Sequence, residues 1–207
     1  MTAAYYRCMD PRDTSISADR NKQPILDVLT RVLPPTGFVL ELGSGTGQHV
    51  SHFAMALPSL VFQPSEKDVL RHASIAAWSA ESRLSNVRPP IAIDVTQLPW
   101  PVEEADAIVC INVIHISPWE ATLALMAGAA KLLPAGGVLV TYGPYMRGGE
   151  HTSPGNRAFD AGLRAQDPRW GLRDIDKVAE VANAEGLDLE EAVPMPAHNF
   201  TLVWRKR

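Results

Sequence analysis

In the run VLELGSGTGQHV, Val39 to Val50, glycines recur at alternate positions, Gly43, Gly45 and Gly47, and a carboxylate, Glu41, stands two residues before the first. Glycine turns after a first strand serve three ligand classes, and the neighbouring residues separate them. A nucleoside-triphosphate loop needs a Gly-Lys pair, which this chain lacks. A dinucleotide turn, G-x-G-x-x-G counted from Gly43, meets Gln48 where its third glycine belongs, and Glu41 would repel a pyrophosphate. A ligand with an ammonium group and a sulfonium centre would instead gain from Glu41, while the small residues of the turn let the backbone approach it. The pattern points to S-adenosylmethionine, with S-adenosylhomocysteine as the product.

Acids recur where such a ligand would need them. Glu66 lies 21 residues beyond Gly45, just after a second apolar run, where a carboxylate could accept both ribose hydroxyls. Asp94, with Val95 beside it, ends a third run, where it could accept from an adenine amino group. Singly, each acid reads equally well as a helix cap or a solvated turn residue. Three acids at the ends of three successive strands, with the glycine turn after the first, make a stronger pattern.

The fourth apolar run leads into INVIHIS. Asn112 there would orient the cofactor or a backbone turn. His115 reads either as the base that takes a proton from a hydroxyl or amine acceptor, or as a loop histidine satisfying a buried carbonyl. In ADRNKQPI, Arg20, Asn21 and Lys22 read either as partners of the cofactor carboxylate or as a solvated helix start before Pro24. His49 and His52 lie three apart, but no further Cys or His stands at ligand spacing, so no metal site is expected.

These residues need a frame, and apolar runs of strand length alternate with segments of helical period. The strands expected are Phe38–Leu42, Leu60–Gln63, Ile91–Asp94, Ala107–Ile111 and Val138–Tyr142; the helices are Gly47–Ala56, Asp68–Glu81, Pro118–Leu133 and Asp174–Ala184. That alternation predicts a parallel sheet covered on both faces. Leu187–Val193 and Asn199–Arg205 would finish it as a hairpin-like pair at one edge. SPWE offers Ser117 as N-cap, Pro118 at the first helical position and Glu120 to close a capping box. Trp78 shares a helix with Ile75 and is expected in the core.

Between GPY and Asp174 runs a Gly/Pro/Ser-rich stretch too long for an ordinary connection, and inserts of this kind tend to be lids. The region from Tyr142 to Arg173 gathers Tyr142, Tyr145, His151, Asn156, Asp160, Trp170 and Arg173. These residues would either enclose a small polar or aromatic acceptor, with Tyr145 and His151 as hydrogen-bonding groups, or form a structural flap tied by Asp160 or Asp174 with Arg173.

Bulk properties narrow the classes. With 207 residues, 46% hydrophobic and 20% charged, the chain suits one domain spanning residues 1–207, with an arm over 1–24 and a lid over 143–173. A net charge of -4 and the lack of a basic run before Arg205-Lys206-Arg207, read as a solvated end, disfavour nucleic acid. No signal peptide or membrane span is expected, because no apolar stretch has the form or length. Cys8 and Cys110 are the only cysteines, so neither a disulfide framework nor a zinc site is expected and a cytoplasmic setting fits.

VLELGSGTG resembles motif I of the class I S-adenosylmethionine-dependent methyltransferases. Beyond it, NKQPILDVL, QPSEKD, SIAAW, DAIVCINVIHISPWEAT, GGVLVTYGPY, HTSPGNRAFD, DPRWGLRD and MPAHNFTLVWRKR resemble the methyltransferase-like family DUF938 over about Ala18 to Arg207. The resemblance implies a Rossmann-like α/β fold with a seven-stranded, mostly parallel sheet. It also implies a cofactor site at Glu41, Gly43, Ser44, Gly45, Gly47, Glu66 and Asp94; Glu66 keeps the charge of the family's aspartate on a longer arm. It implies no acceptor. The expectation is methyl transfer to an O, N or S atom of a small molecule; a catalytically silent cofactor-binding module and an RNA or protein methyltransferase stay open.

Overall fold

The computed structural model describes residues 10–207. Its frame opens with helix α1 (Ile16–Val32), strand β1 (Gly37–Leu42), α2 (Gln48–Ala56), β2 (Leu60–Ser65) and α3 (His72–Glu81). β3 (Ala107–Ile111), α4 (Trp119–Leu132) and β4 (Val138–Gly143) follow. The insert then contributes a short hairpin, β5 (Met146–Arg147) with β6 (Glu150–His151), and a helix, α5 (Pro154–Gln166). The chain closes with α6 (Ile175–Ala184), β7 (Leu187–Met195) and β8 (Asn199–Lys206).

Six strands form a mixed sheet in the order β2-β1-β3-β4-β8-β7; the first four are parallel, and β8 runs antiparallel to both of its neighbours. Side chains alternate across the strands, so one face of the sheet collects Leu40, Leu42, Ile108, Cys110 and Leu139 with α4 and α6. Val39, Val109, Val138 and Val140 on the other face pack with α1 and α2. Both faces are thus dry, which explains why the parallel strands read as continuous apolar runs.

Several expectations are corrected. Ile91–Asp94 is not a seventh strand: Ile91 makes only an isolated parallel bridge to Ser65. Pro89 and Pro90 immediately before it carry no amide hydrogen, so a ladder along β2 cannot be sustained. The capping box at SPWE does not form either: Pro118 is the N-cap residue, with no side-chain cap. The Ser117 carbonyl instead accepts from Arg173 (2.5 Å). Trp78 is half-buried outside the core, donating from its indole to the Asp13 carbonyl (2.9 Å) beneath the Arg12 guanidinium, and so ties residues 12–13 to α3; the first nine residues of the expected arm lie outside the described residues. The terminal basic triplet is tied rather than trailing: Arg205 pairs with Glu190, Lys206 donates to the Glu185 carbonyl and Arg207 pairs with Asp188.

The insert is more regular than its composition suggested. Ser153 caps α5 by accepting from the Asn156 amide (3.1 Å), with Pro154 in the first turn. Cys110 is buried, and burial pushes its thiol up to about 12; Cys8 lies outside the described residues. No helix among the described residues is long and apolar enough to cross a membrane.

Candidate functional site

A cleft of about 810 Å³ opens at the carboxyl ends of β1, β2 and β3. The chain must turn sharply there from β1 into α2, and the three glycines meet that demand in different ways. All three have positive φ. A Cβ at Gly43 would lie 2.4 Å from Val113 Cγ2 and one at Gly47 would lie 2.6 Å from the Ile75 backbone, so these two pack the turn onto its neighbours. At Gly45, by contrast, no atom of the described residues stands within 4 Å of that position.

The turn's amides are engaged from within. Ser44 donates to the Ser65 carbonyl (2.8 Å), Gly47 to the Ser44 carbonyl (2.9 Å) and Gly45 to Glu66 Oε2 (2.9 Å). Glu66 Oε1 accepts from the Asp68 amide (3.1 Å), which fixes the carboxylate at the cleft wall. Asp94 and Val95 also line the cleft. Burial works to raise the Asp94 carboxyl, but the Lys67 ammonium (2.7 Å) and the Thr96 hydroxyl and amide outweigh it and hold the acid below its usual range.

Glu41 lies beneath the turn, not on the cleft wall, 2% exposed and with Oε2 unpartnered among the described residues. Burial drives its carboxyl up to about 7 against the pull of the nearby Ser44 hydroxyl, and the Glu66 charge adds to the rise. Asn112, held in the left-handed conformation at the end of β3, lines the cleft with Gly43, Ser44 and Gly45.

The remaining expected residues stand elsewhere. Arg20 is exposed away from the cleft, and Asn21 is buried against His49, with 2.7 Å between Asn21 Oδ1 and Nε2. His115 is buried behind Gly143, neither ring nitrogen has a partner among the described residues, and burial pulls its pKa down to about 3. Tyr145 packs edge-on against that ring and donates to the Thr141 hydroxyl (2.8 Å); burial drives its phenol well above the usual range. His151 Nε2 lies 3.1 Å from Asp160 Oδ2 in the insert. None of His115, Tyr145 and His151 is on the cleft wall.

Sequence reasoning missed residues that do line it, notably Ser15, His49, Lys67, Ile116 and Arg169. His49 carried a usable signal, since the second residue of a helix that follows a glycine turn must lie near whatever the turn faces. The insert reaches the cleft through Asp167, Arg169 and Trp170. Its anchor is Arg173, which donates to the Ile114 carbonyl (2.9 Å) as well as to Ser117, while the Gly171 amide donates to the His115 carbonyl (2.9 Å). Asp160 does not pair with Arg173: it accepts from Leu172 (2.7 Å) and Arg164 (3.1 Å). Among the described residues, no group of three His, Cys, Asp or Glu could hold a metal ion.

Solved structures share this frame. An O-methyltransferase family protein from Burkholderia thailandensis superposes with a TM-score of 0.77 at 19% identity, covering 92% of this chain and 57% of that one. CalO1, a methyltransferase in calicheamicin biosynthesis solved in an S-adenosylhomocysteine-bound form, gives 0.71 at 19% identity, covering 93% and 54%. The mitomycin 7-O-methyltransferase MmcR gives 0.75 at 14% identity, covering 90% and 54%. The fold is therefore that of class I methyltransferases, and the chain spans a little over half the length of these structures. A family model described as "Protein of unknown function (DUF938)" matches residues 12–206.

Proposed function

The chain belongs to the DUF938 family, and we propose that it binds S-adenosylmethionine in this cleft and directs its methyl group to an O, N or S atom of a small-molecule acceptor. The observation that carries the reading is the state of the glycine turn's amides. A phosphate needs free backbone donors at such a turn. Here the amides of Ser44, Gly45 and Gly47 already serve protein oxygens, and one of those is the Glu66 carboxylate. What the cleft offers instead is carboxylate acceptors, Glu66 and Asp94, which suit the hydroxyls and amino group of a nucleoside, on a wall where Lys67, Arg71 and Arg169 balance the charge of the acids.

The residues fit that group. Open space at Gly45 leaves room for a ligand against the backbone, and the unpartnered Glu41 Oε2 is a buried acceptor that a nearby ammonium would satisfy. Glu66, oriented by two backbone amides, would take the ribose hydroxyls; Asp94 and Val95 would receive the adenine; Gly43, Ser44, Gly45 and Gly47 would shape the turn around the amino-acid portion; Asn112 would line the reacting end. S-adenosylmethionine supplies, when bound, an electrophilic methyl group open to in-line displacement. The chain's task is then to position an acceptor and shed water. Ile116 and Trp170 supply apolar wall for that purpose. In this reading His115, Tyr145 and His151 hold the β4 tip and the insert in place. A small-molecule acceptor is supported by the resemblance to structures that include a mitomycin 7-O-methyltransferase.

Calorimetric titration of the full chain with S-adenosylmethionine, S-adenosylhomocysteine and NAD tests the reading. Binding of the first two without the third is expected; failure of both sulfur nucleosides would remove it.

A further inference from the structure

The seam between α1 and α2 is polar where it meets the cleft. Gln48 Nε2 donates to Asp19 Oδ1 (3.1 Å), His49 Nε2 faces Asn21 Oδ1 (2.7 Å), and His52 Nε2 faces Gln23 Oε1 (3.1 Å). Of the three α2 residues, His49 is the one on the cleft wall, and it is the sole imidazole there among the described residues. Asn21 is 8% exposed, so its amide is fixed inside the protein.

The pairing assigns the ring's chemistry. An amide oxygen can only accept, so a 2.7 Å contact to Asn21 Oδ1 places the proton on Nε2 and the lone pair on Nδ1. Nδ1 has no hydrogen-bond partner among the described residues. A base held in one tautomer by a second polar group is the arrangement that proton transfer requires. His115 lacks it: a Cβ on Gly143 would lie 2.3 Å from its Nε2, so backbone closes that ring off.

We propose that His49, oriented by Asn21, receives the hydrogen of the methyl acceptor, whose reacting atom carries an X–H group as in a phenol, thiol or amine. The proposal rests on the methyltransferase reading above. In the step, a lone pair on X forms the X–C bond while the carbon–sulfur bond breaks with its electrons going to sulfur. The proton on X passes to Nδ1 and then to solvent. His49 is the catalytic residue and Asn21 its positioning residue. The groups facing the ring are Lys22 and Asn21 of α1 and His52 of α2; burial first, then His52 and Lys22, keep the imidazole neutral at physiological pH.

Long-range proton–nitrogen correlation spectra of the full chain with labelled histidine, bound to S-adenosylhomocysteine and titrated with phenol as the X–H probe, test it. The expected spectrum shows His49 protonated on Nε2, with an Nδ1 signal that moves saturably as phenol is added. His49→Gln keeps a donor toward Asn21 but lacks the Nδ1 lone pair. It should retain the thermal midpoint and weaken phenol binding by about tenfold, the size of one lost hydrogen bond. Asn21→Ala should mix the tautomers and blunt the Nδ1 response. An Nδ1-protonated ring, or phenol affinity indifferent to His49→Gln, would overturn this proposal alone. Failure of the unaltered chain to bind S-adenosylhomocysteine would overturn the underlying reading and take this one with it.

Discussion

At Gly45 none of the described residues lies within 4 Å of the place a Cβ would take, whereas a Cβ on Gly171 in the insert would sit 2.7 Å from both Asp160 Oδ1 and Arg164 Nη2. Both glycines have positive φ, and both belong to polar stretches at the carboxyl edge of the sheet. The difference extends to their neighbours. Beneath the glycine turn one buried acceptor, Glu41 Oε2, has no partner among the described residues, and the carboxylates of Glu66 and Asp94, though each is held by neighbouring donors, line the cleft with Asn112. In the insert the polar groups close on the protein itself, with Asp160 taking three donors and Arg173 three carbonyls. A polar, glycine-rich segment at the mouth of a fold can therefore be a ligand cradle or a clasp, and the space beside its glycine separates the two.

Breaking the clasp should cost the most stability. Arg173→Ala leaves the Ile114 and Ser117 carbonyls without a charged donor, a loss of about 4 kcal/mol if the two bonds each contribute near 2. Denaturant unfolding would show it, and a loss below about 1 kcal/mol would mean that the insert does not anchor the 113–117 turn. Gly47→Ala comes next at about 3 kcal/mol: its φ of 91° is unfavourable for alanine and the Cβ would meet the Ile75 backbone. A silent Gly47→Ala would show that this turn yields more readily than its packing implies.

Legibility in sequence follows the same division. The glycine turn and the strands around it were readable because each feature answers a local demand: apolar runs for buried parallel strands, glycine for positive φ, acids at strand ends. Ile91–Asp94 has the right hydropathy, but Ile91 already sits opposite Ser65, the last residue of β2, and Pro89 and Pro90 before it have no amide hydrogen with which a ladder could start earlier. The insert hid its helix because Ser153-Pro154-Gly155 reads as loop until Ser153 is recognised as a cap. Asp160, Asp174 and Arg173 stand out in the sequence, and a tie between Arg173 and either acid is one reading of the insert; which carbonyl or amide a side chain actually reaches depends on elements far apart in the chain. For His49 the local spacing to His52 suggests only a metal ligand, because its partner Asn21 is 28 residues away.

Glu41 sharpens the comparison through pH. Its pKa rises from 4.5 to about 7 on folding, so between those values the folded chain holds a proton that the unfolded chain has lost. Stability from this group therefore falls as pH rises through that window and is flat above it, by about 3 kcal/mol in all. Glu41→Gln should remove this dependence, making the variant more stable than the unaltered chain at pH 8 and equal to it at pH 4. The same variant should bind S-adenosylmethionine about tenfold more weakly, since an acceptor for its ammonium is gone. Thermal midpoints at the two pH values, with one titration, read both effects. A variant that loses stability at pH 8 would mean that the charge has a partner at home.

Gly45→Ala carries the smallest stability effect and divides cradle from clasp most directly. The backbone there sits at a φ of 54°, where an alanine costs about 1 kcal/mol, and no atom opposes the new methyl group. Folding should be nearly intact, with the Glu66 bond preserved because the amide is unchanged. The methyl group, however, would project into the space that a ligand approaching the turn would fill, so affinity for S-adenosylhomocysteine should fall at least tenfold, by about 1.4 kcal/mol or more. The paired measurement is a denaturant midpoint and a calorimetric affinity on the same sample. Unchanged affinity would place the ligand away from the turn and leave Gly45 as a purely conformational glycine. A loss of affinity with stability nearly kept would mean that the open side of this turn is occupied in the complex, which Gly47→Ala, failing through the fold, could never show.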